Sequence, residues 1–414
     1  MSESTQPPTS LGFDVLQAAI TGNIPAIRAE IPLEPAGGWQ DKVFPPTYSG
    51  GVYATEKRIL DGKEVETVVL DSVQSQANRL EEALLRAFDE ERVSLPVMAM
   101  TVPGYGRITS LDAPHRIADA IFRDALLNGV PFHQSSEGKR FLSANARNAT
   151  AVFELCPTAL VFGFWNSHAG LRVRGAKVQR AIYSEIVGFG AVYGVQTGGR
   201  LDPLGIPRNA AKIYQASNEA EMWTLEPSQA KGEKGKEMLV GKGTDKGRPA
   251  SIGHGNVPPD LVKNERNEIL RRGVTLLSAQ QTVVLSLGQL RRLEFPDAAS
   301  GSASRERNEA VRTVLAALGL AAVALQHEQG YDLRSRCVLY APDPLCLKFV
   351  GGQNGEFTLT AETAVSLLSQ GIVEAERAGV VWRKGIVKFK PKEKLVQLYS
   401  KGLGAPSEDE NESK

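Results

Sequence analysis

The chain is poor in the residues that usually mark a compact catalytic or metal site. Of 414 residues only three are cysteine, Cys156, Cys337 and Cys346, and five are histidine. So sparse and odd a cysteine set excludes a disulfide framework, and the spacing of Cys337 and Cys346 does not suit a zinc knuckle. The three read as reduced, buried thiols. His115, His133, His168, His254 and His327 never stand at the spacing that puts two metal ligands on one helix face. No serine sits in a Gly-x-Ser-x-Gly elbow, and the glycine-rich run Gly241 to Gly247 lacks the Gly-Lys-Ser/Thr ending of a phosphate loop. No cofactor is expected. Long apolar runs are missing too: the longest, Val314 to Leu325, has 12 residues, against the roughly 18 to 20 that cross a bilayer. With neither a basic nor an apolar leader at Met1 to Pro8, the expectation is a cytoplasmic chain with no membrane partner.

Charge is present in near balance, with a formal net of +1, but it is unevenly laid out. Ser407 to Lys414 carries Glu408, Asp409, Glu410 and Glu412 against one lysine, which leaves the body at +4. Between Leu155 and Leu201 a single acid, Glu185, stands against Arg172, Arg174, Lys177, Arg180 and Arg200. Residues 382 to 394 repeat the bias, with Arg383, Lys384, Lys388, Lys390, Lys392 and Lys394 against Glu393 alone. Two basic stretches in an otherwise neutral chain point to a polyanionic partner.

Periodicity predicts helices over Phe13 to Ile20, Pro114 to Leu127, Asp260 to Arg272, Arg305 to Leu325 and Ala361 to Ala378. Strands are predicted at Ala26 to Leu33 (an edge), Pro96 to Val102, Ala159 to Trp165, Ala181 to Val187, Ala191 to Val195, Cys337 to Tyr340 and Ile386 to Phe389. Across Gly51 to Leu70 the alternation is broken by Asp61-Gly62, a hairpin signal. A helix follows, with Asp71 as its expected N-cap and Val73, Ala77, Leu80, Leu84 and Phe88 as its apolar stripe. Strands interspersed with helices, with hairpins rather than strict alternation, favour an α+β fold. Residues 1–10 read as a frayed leader, 11–400 as one elaborated domain with a mobile basic loop at about 226–258, and 401–414 as an acidic disordered tail.

Four groups of residues have the chemistry to hold nucleic acid. At the start of the capped helix, Ser72, Gln74, Ser75, Asn78 and Arg79 surround free backbone N–H groups that favour phosphate. Trp165, Asn166 and Ser167, followed by Arg172, Arg174, Lys177 and Arg180, combine a ring, neutral hydrogen-bonding groups and cations, as single-stranded RNA binding requires. Trp165 itself is either a stacking face or a core ring. Lys242, Lys246 and Arg248 in the glycine-rich loop could track a backbone. Arg334 and Arg336 alternate and are expected on one side of a strand as further phosphate ligands.

Leu70 to Glu81, preceded by Lys42 to Tyr48, resembles the backbone subunit of type I-U (I-G) CRISPR effector complexes. The blocks Leu160 to Ser167, Ser184 to Gly188 and Gly330 to Cys337 agree with it, so the resemblance runs from about residue 40 to 340. It implies a RAMP-type protein with an RRM-like (ferredoxin-like) antiparallel palm, an inserted helical region and an extended thumb hairpin. The implied partners are CRISPR RNA, further copies of the chain in a helical filament, other Cascade subunits, target DNA reached through guide pairing, and a recruited nuclease-helicase. The type I family is not known for the catalytic aspartate of its type III relatives, so no catalytic role is expected for Asp71 or any other acid. The rival reading is a RAMP-type endoribonuclease that processes CRISPR precursor RNA, with His115 and His168 as its candidate bases.

Overall fold

A computed structural model describes residues 9–166, 177–218, 220–233, 235–263, 268–297, 300–352 and 356–403. The chain divides into two compact units, one made of residues up to 191 with those from 276 onward, the other of Val192–Thr275.

The first unit is organised by a ten-stranded sheet. Its four middle strands stand in the order Cys346–Val350, Ala26–Pro35, Ser278–Ser286 and Ile182–Phe189, each antiparallel to its neighbour. Helix Val73–Asp89 lies in the chain between the second and the fourth of these, and helix Arg305–Gln329 between the third and the first. Alternation sets the faces: in Ala26–Pro35, Ile27, Ala29, Ile31 and Leu33 are buried while Glu30 and Pro32 are exposed. That strand lies between two others and is therefore central, where its sequence suggested an edge. Lys63–Asp71 and the terminal strand Thr55–Leu60 extend the sheet as a hairpin, and its turn holds Asp61 and Gly62 at φ 50° and 74°, the left-handed conformations that Asp-Gly accepts most readily. At the other edge Thr9–Ser10 pairs with Glu356–Thr358, so the expected leader is partly a strand.

Both helices sit on one face of this sheet, tied to it by buried amides. Gln281 Nε2 on the sheet donates to Gln76 Oε1 of the first helix at 2.8 Å and to Gln326 Oε1 of the second at 2.9 Å, and Ser184 Oγ donates to Gln76 Oε1 at 3.0 Å. Helix Arg305–Gln329 is long and apolar enough to cross a membrane, yet 89% of its apolar window is buried inside the protein. Its composition is that of a core helix, capped by Ser304 through the Arg307 N–H and packed against helix Ala361–Arg377. Each fully buried leucine there contributes roughly 1.5–3 kcal/mol.

A second sheet orders Val130–Pro131, Ala125–Leu127, Gly385–Pro391, Pro96–Val102 and Gly106–Thr109. The late strand Gly385–Pro391 is inserted between two early ones, parallel to Pro96–Val102 and antiparallel to Ala125–Leu127. The helix expected over Pro114 to Leu127 is broken here: Arg116 has φ 54°, Asp119 caps a new turn through the Ile121 N–H, and the segment ends in a strand. The strand expected over Ala159 to Trp165 is a helix, Thr158–Phe162, followed by a two-residue strand. Every residue of that helix is buried, and a continuous apolar run carries no periodicity to separate the two states.

The second unit opens and closes with paired strands, Val192–Val195 with Arg271–Thr275, continued by Thr197–Arg200 with Val257–Leu261. Where a helix was expected over Asp260 to Arg272, both ends of the segment lie in paired strands, Val257–Leu261 and Arg271–Thr275. The stretch expected as a long basic loop holds the short pair Gly232–Glu233 and Lys236–Glu237.

Candidate nucleic-acid interface

A cleft of about 410 Å³ opens beside the amino end of helix Val73–Asp89. Gln74 and Asn78, four apart on its exposed face, form one wall. The other wall is the short pair Phe164–Trp165 and Lys177–Val178, in which Trp165 stands opposite Lys177 and Phe164 opposite Val178. Phe164 and Val178 turn into the core, so Trp165 turns outward and is 63% exposed. The Lys177 ammonium lies 5.5 Å from its ring centroid, a cation–π contact over one face of the indole.

Gly163 connects the buried helix to this strand at φ 82°, ψ 158°, a region that only glycine enters readily. A Cβ there would stand 2.8 Å from the Arg180 backbone nitrogen, so the missing side chain lets Arg180 close the cleft floor. Arg180 is half-buried and its Nε donates to the Phe162 carbonyl at 3.3 Å. Burial, and then the nearby Arg116 guanidinium, depress its pKa.

Beneath lies a buried ion pair. Arg116 donates through Nε and Nη2 to the two carboxylate oxygens of Glu81 at 2.7 and 2.5 Å, and through Nη1 to the Gly163 carbonyl at 3.1 Å. The side chains are only 6% and 1% exposed. Burial pushes the Glu81 carboxyl up to about 7, against the pull of Arg116 and the weaker pull of Arg180. One part-ionised carboxyl thus faces Arg116 and Arg180, with Lys177 above, and the cleft carries surplus positive charge beside an exposed aromatic face. His115 lines the same cleft.

The cleft therefore gathers Gln74, Asn78, Trp165, Lys177 and Arg180 of the residues expected from sequence. It adds Arg116 and Glu81, which no local pattern marked. Trp165 proves to be an outward ring rather than a core one. Asn166, next in the chain, lines a different cavity. Ser72, rather than Asp71, is the N-cap, its hydroxyl accepting from the Ser75 N–H at 3.3 Å. Asp71 is instead the last residue of its strand and fully buried, accepting from Gln76 Nε2 at 2.7 Å, Arg79 Nε at 3.0 Å and Arg334 Nη2 at 3.2 Å. Arg79 also donates to the carbonyls of Asp332 and Leu333, and Arg334 to that of Leu70. These two arginines tie sheet to helix. Arg336 does not share a strand face with Arg334: it sits past the strand end at φ 59°, stacks 4.5 Å over Phe44 and lies 3.8 Å from Asp41. Lys242, Lys246 and Arg248 belong to the second unit, where Arg248 lies 3.5 Å from Asp245. Ser167, Arg172, Arg174 and His168 lie outside the described residues, as do 404–414 of the acidic tail. Among the described residues no group of three His, Cys, Asp or Glu could hold a metal ion.

Residues 27–192, which include every polar residue of the cleft just named, match a family described as CRISPR-associated protein GSU0053. The resemblance read from the sequence blocks is borne out: over this stretch the chain is similar to CRISPR-associated proteins. None of the curated proteins compared with it matches. Among solved structures, the crystal structure of Thermofilum pendens Csc2 is 12% identical, with 89% of this chain and 80% of that chain covered at a TM-score of 0.29, a likeness too slight to carry an argument.

Proposed function

We propose that the chain is a non-catalytic, guide-binding backbone subunit of a type I-G (I-U) CRISPR surveillance complex acting in the cytoplasm. Several copies assemble along one CRISPR RNA beside other Cascade subunits and present the guide for pairing with target DNA, which a recruited nuclease-helicase then cuts. The observation that carries this reading is the cleft: an exposed indole under a lysine, above the Arg180 guanidinium and the buried Arg116–Glu81 pair, inside the stretch similar to CRISPR-associated proteins. Stacking and cations hold bases and phosphates of any sequence, so little dependence on spacer sequence is expected. The order of the four middle strands, with helices Val73–Asp89 and Arg305–Gln329 as crossovers, supports an RRM-like palm. The paired strands inserted between Ile182–Phe189 and Ser278–Ser286 support a thumb in the second unit.

Co-expression with a CRISPR array and the partner subunits tests this. Co-purifying RNAs of one spacer-plus-repeat length are expected, and a clean protein peak despite intact partners would refute the reading. A second reading, cleavage of precursor RNA, is favoured by one observation, the exposed His115 in the same cleft. It requires the isolated protein to cut repeat RNA and H115A to abolish the cut.

A further inference from the structure

The second basic stretch of the sequence, residues 382 to 394, contributes no residue to the lining of the Trp165 cleft. In strand Gly385–Pro391, Val387 and Phe389 turn inward while Ile386, Lys388 and Lys390 are exposed on the other face. Two strand positions apart, the lysines are about 6.6 Å from one another along the chain, comparable to the step between phosphates of an extended single strand. Arg383 lies 3.6 Å from Glu137, and Lys394 lies 3.4 Å from Asp124. Among the described residues Lys384, Lys388, Lys390 and Lys392 have no such acidic partner.

Lysines on an exposed strand often serve to keep a sheet edge from pairing with another chain. That explanation does not account for the whole run: Gly385–Phe389 pairs with Pro96–Val102 and Phe389–Pro391 with Ala125–Leu127, so the strand is interior only at Phe389, and Lys384 and Lys392 stand outside the strand altogether. The strip instead leads into a cavity of about 350 Å³ whose lining includes Lys392, Lys394, Arg123, His133 and Asn166. Two acids line it as well. Asp124 is offset by Arg123 at 2.7 Å and by Lys394, while Asp119 accepts from the backbone N–H groups of His115 and Ile121. Asn166 follows Trp165 directly, so consecutive residues line the two cavities and the strip begins where the cleft ends.

We infer that Lys384, Lys388, Lys390 and Lys392, with the cavity at Asn166, form a second phosphodiester-binding track for a single nucleic-acid strand. It extends the nucleic-acid reading of the cleft to another face and does not need the cleft to be occupied.

The test is binding of labelled single-stranded homopolymers of equal length, RNA in one arm and DNA in the other, to the full chain over a salt series. Wild type, K388E/K390E and W165A/R180Q are compared, with a thermal melt of each to confirm folding. For K388E/K390E the track predicts an affinity loss of about tenfold or more and a salt slope shallower by about two. The arm that shows the loss identifies the strand as RNA or DNA. Unchanged affinity and slope in both arms would overturn the track while leaving the cleft standing. Loss in K388E/K390E with none in W165A/R180Q would leave the track and remove the cleft, and a wild-type chain that binds neither polymer would refute both.

Discussion

Arg116 and Glu81, 35 residues apart in the chain, form a two-bonded ion pair buried beneath the Trp165 cleft. The pair fixes the floor on which Arg180 and Gly163 rest, and it makes the charge of the cleft depend on one carboxyl.

That carboxyl titrates near neutrality, because burial raises it from 4.5 to about 7. As pH rises from 6 to 8 it ionises against Arg116, with Arg180 further off, and the cleft holds an anion less well. Affinity for single-stranded RNA is expected to fall several-fold over that interval in fluorescence anisotropy, and E81Q is expected to flatten the profile. Stability moves in the same sense. The folded-state value lies above the unfolded one, so the stabilisation is fully present below about 4.5 and lost as pH rises to about 7. The loss is on the order of 3 kcal/mol, and a wild-type melting temperature that climbs through this window relative to E81Q would contradict it.

Asp71 makes a different prediction, because its partners are structural. D71N leaves Arg79 and Arg334 without their shared charge and is expected to cost about 3 kcal/mol in urea unfolding. R79A and R334A should likewise lower the urea midpoint yet leave the salt slope of RNA binding unchanged. A shallower slope in either would restore that arginine as a phosphate ligand.

Trp165 is the direct test of stacking. W165A should weaken binding by about 1–3 kcal/mol, or roughly 5- to 150-fold, with W165F close to wild type. K177A should weaken it less and make the salt slope shallower by about one. Quenching of indole emission on RNA addition, absent in W165F, would report the contact.

What the sequence could show depended on how far apart the deciding groups lie. The Asp61-Gly62 hairpin was legible because its turn chemistry is local, and helix Arg305–Gln329 because it spans many turns. Trp165, Lys177 and Arg180 were legible as a composition, an aromatic among bases. Arg116 was not, since its partner lies on another helix, and nothing near Pro114 to Leu127 announces the left-handed residue that breaks the expected helix. The tie between Arg79 and Arg334 was hidden for the same reason: each reads as a surface cation until the fold brings Asp71 between them, 8 residues from one and 263 from the other. Ala159 to Trp165 reads as a strand, where the chain forms helix Thr158–Phe162, because a fully buried run lacks a polar face to set its period.

Gly163 yields the sharpest prediction, because it couples backbone geometry to the site. A side chain there must adopt a conformation that only glycine tolerates, and its Cβ must displace the backbone at Arg180 from 2.8 Å. G163A is therefore expected to cost about 1–3 kcal/mol of stability and to weaken RNA binding beyond that, since Arg180 is pushed off the Phe162 carbonyl. Gly62 provides the contrast: it too has a positive φ, 74°, but an added Cβ there meets nothing within 4 Å. G62A should cost stability alone and leave affinity untouched once the folded fraction is corrected for. Equal effects of the two substitutions on binding would mean that the Gly163–Arg180 approach does not shape the cleft.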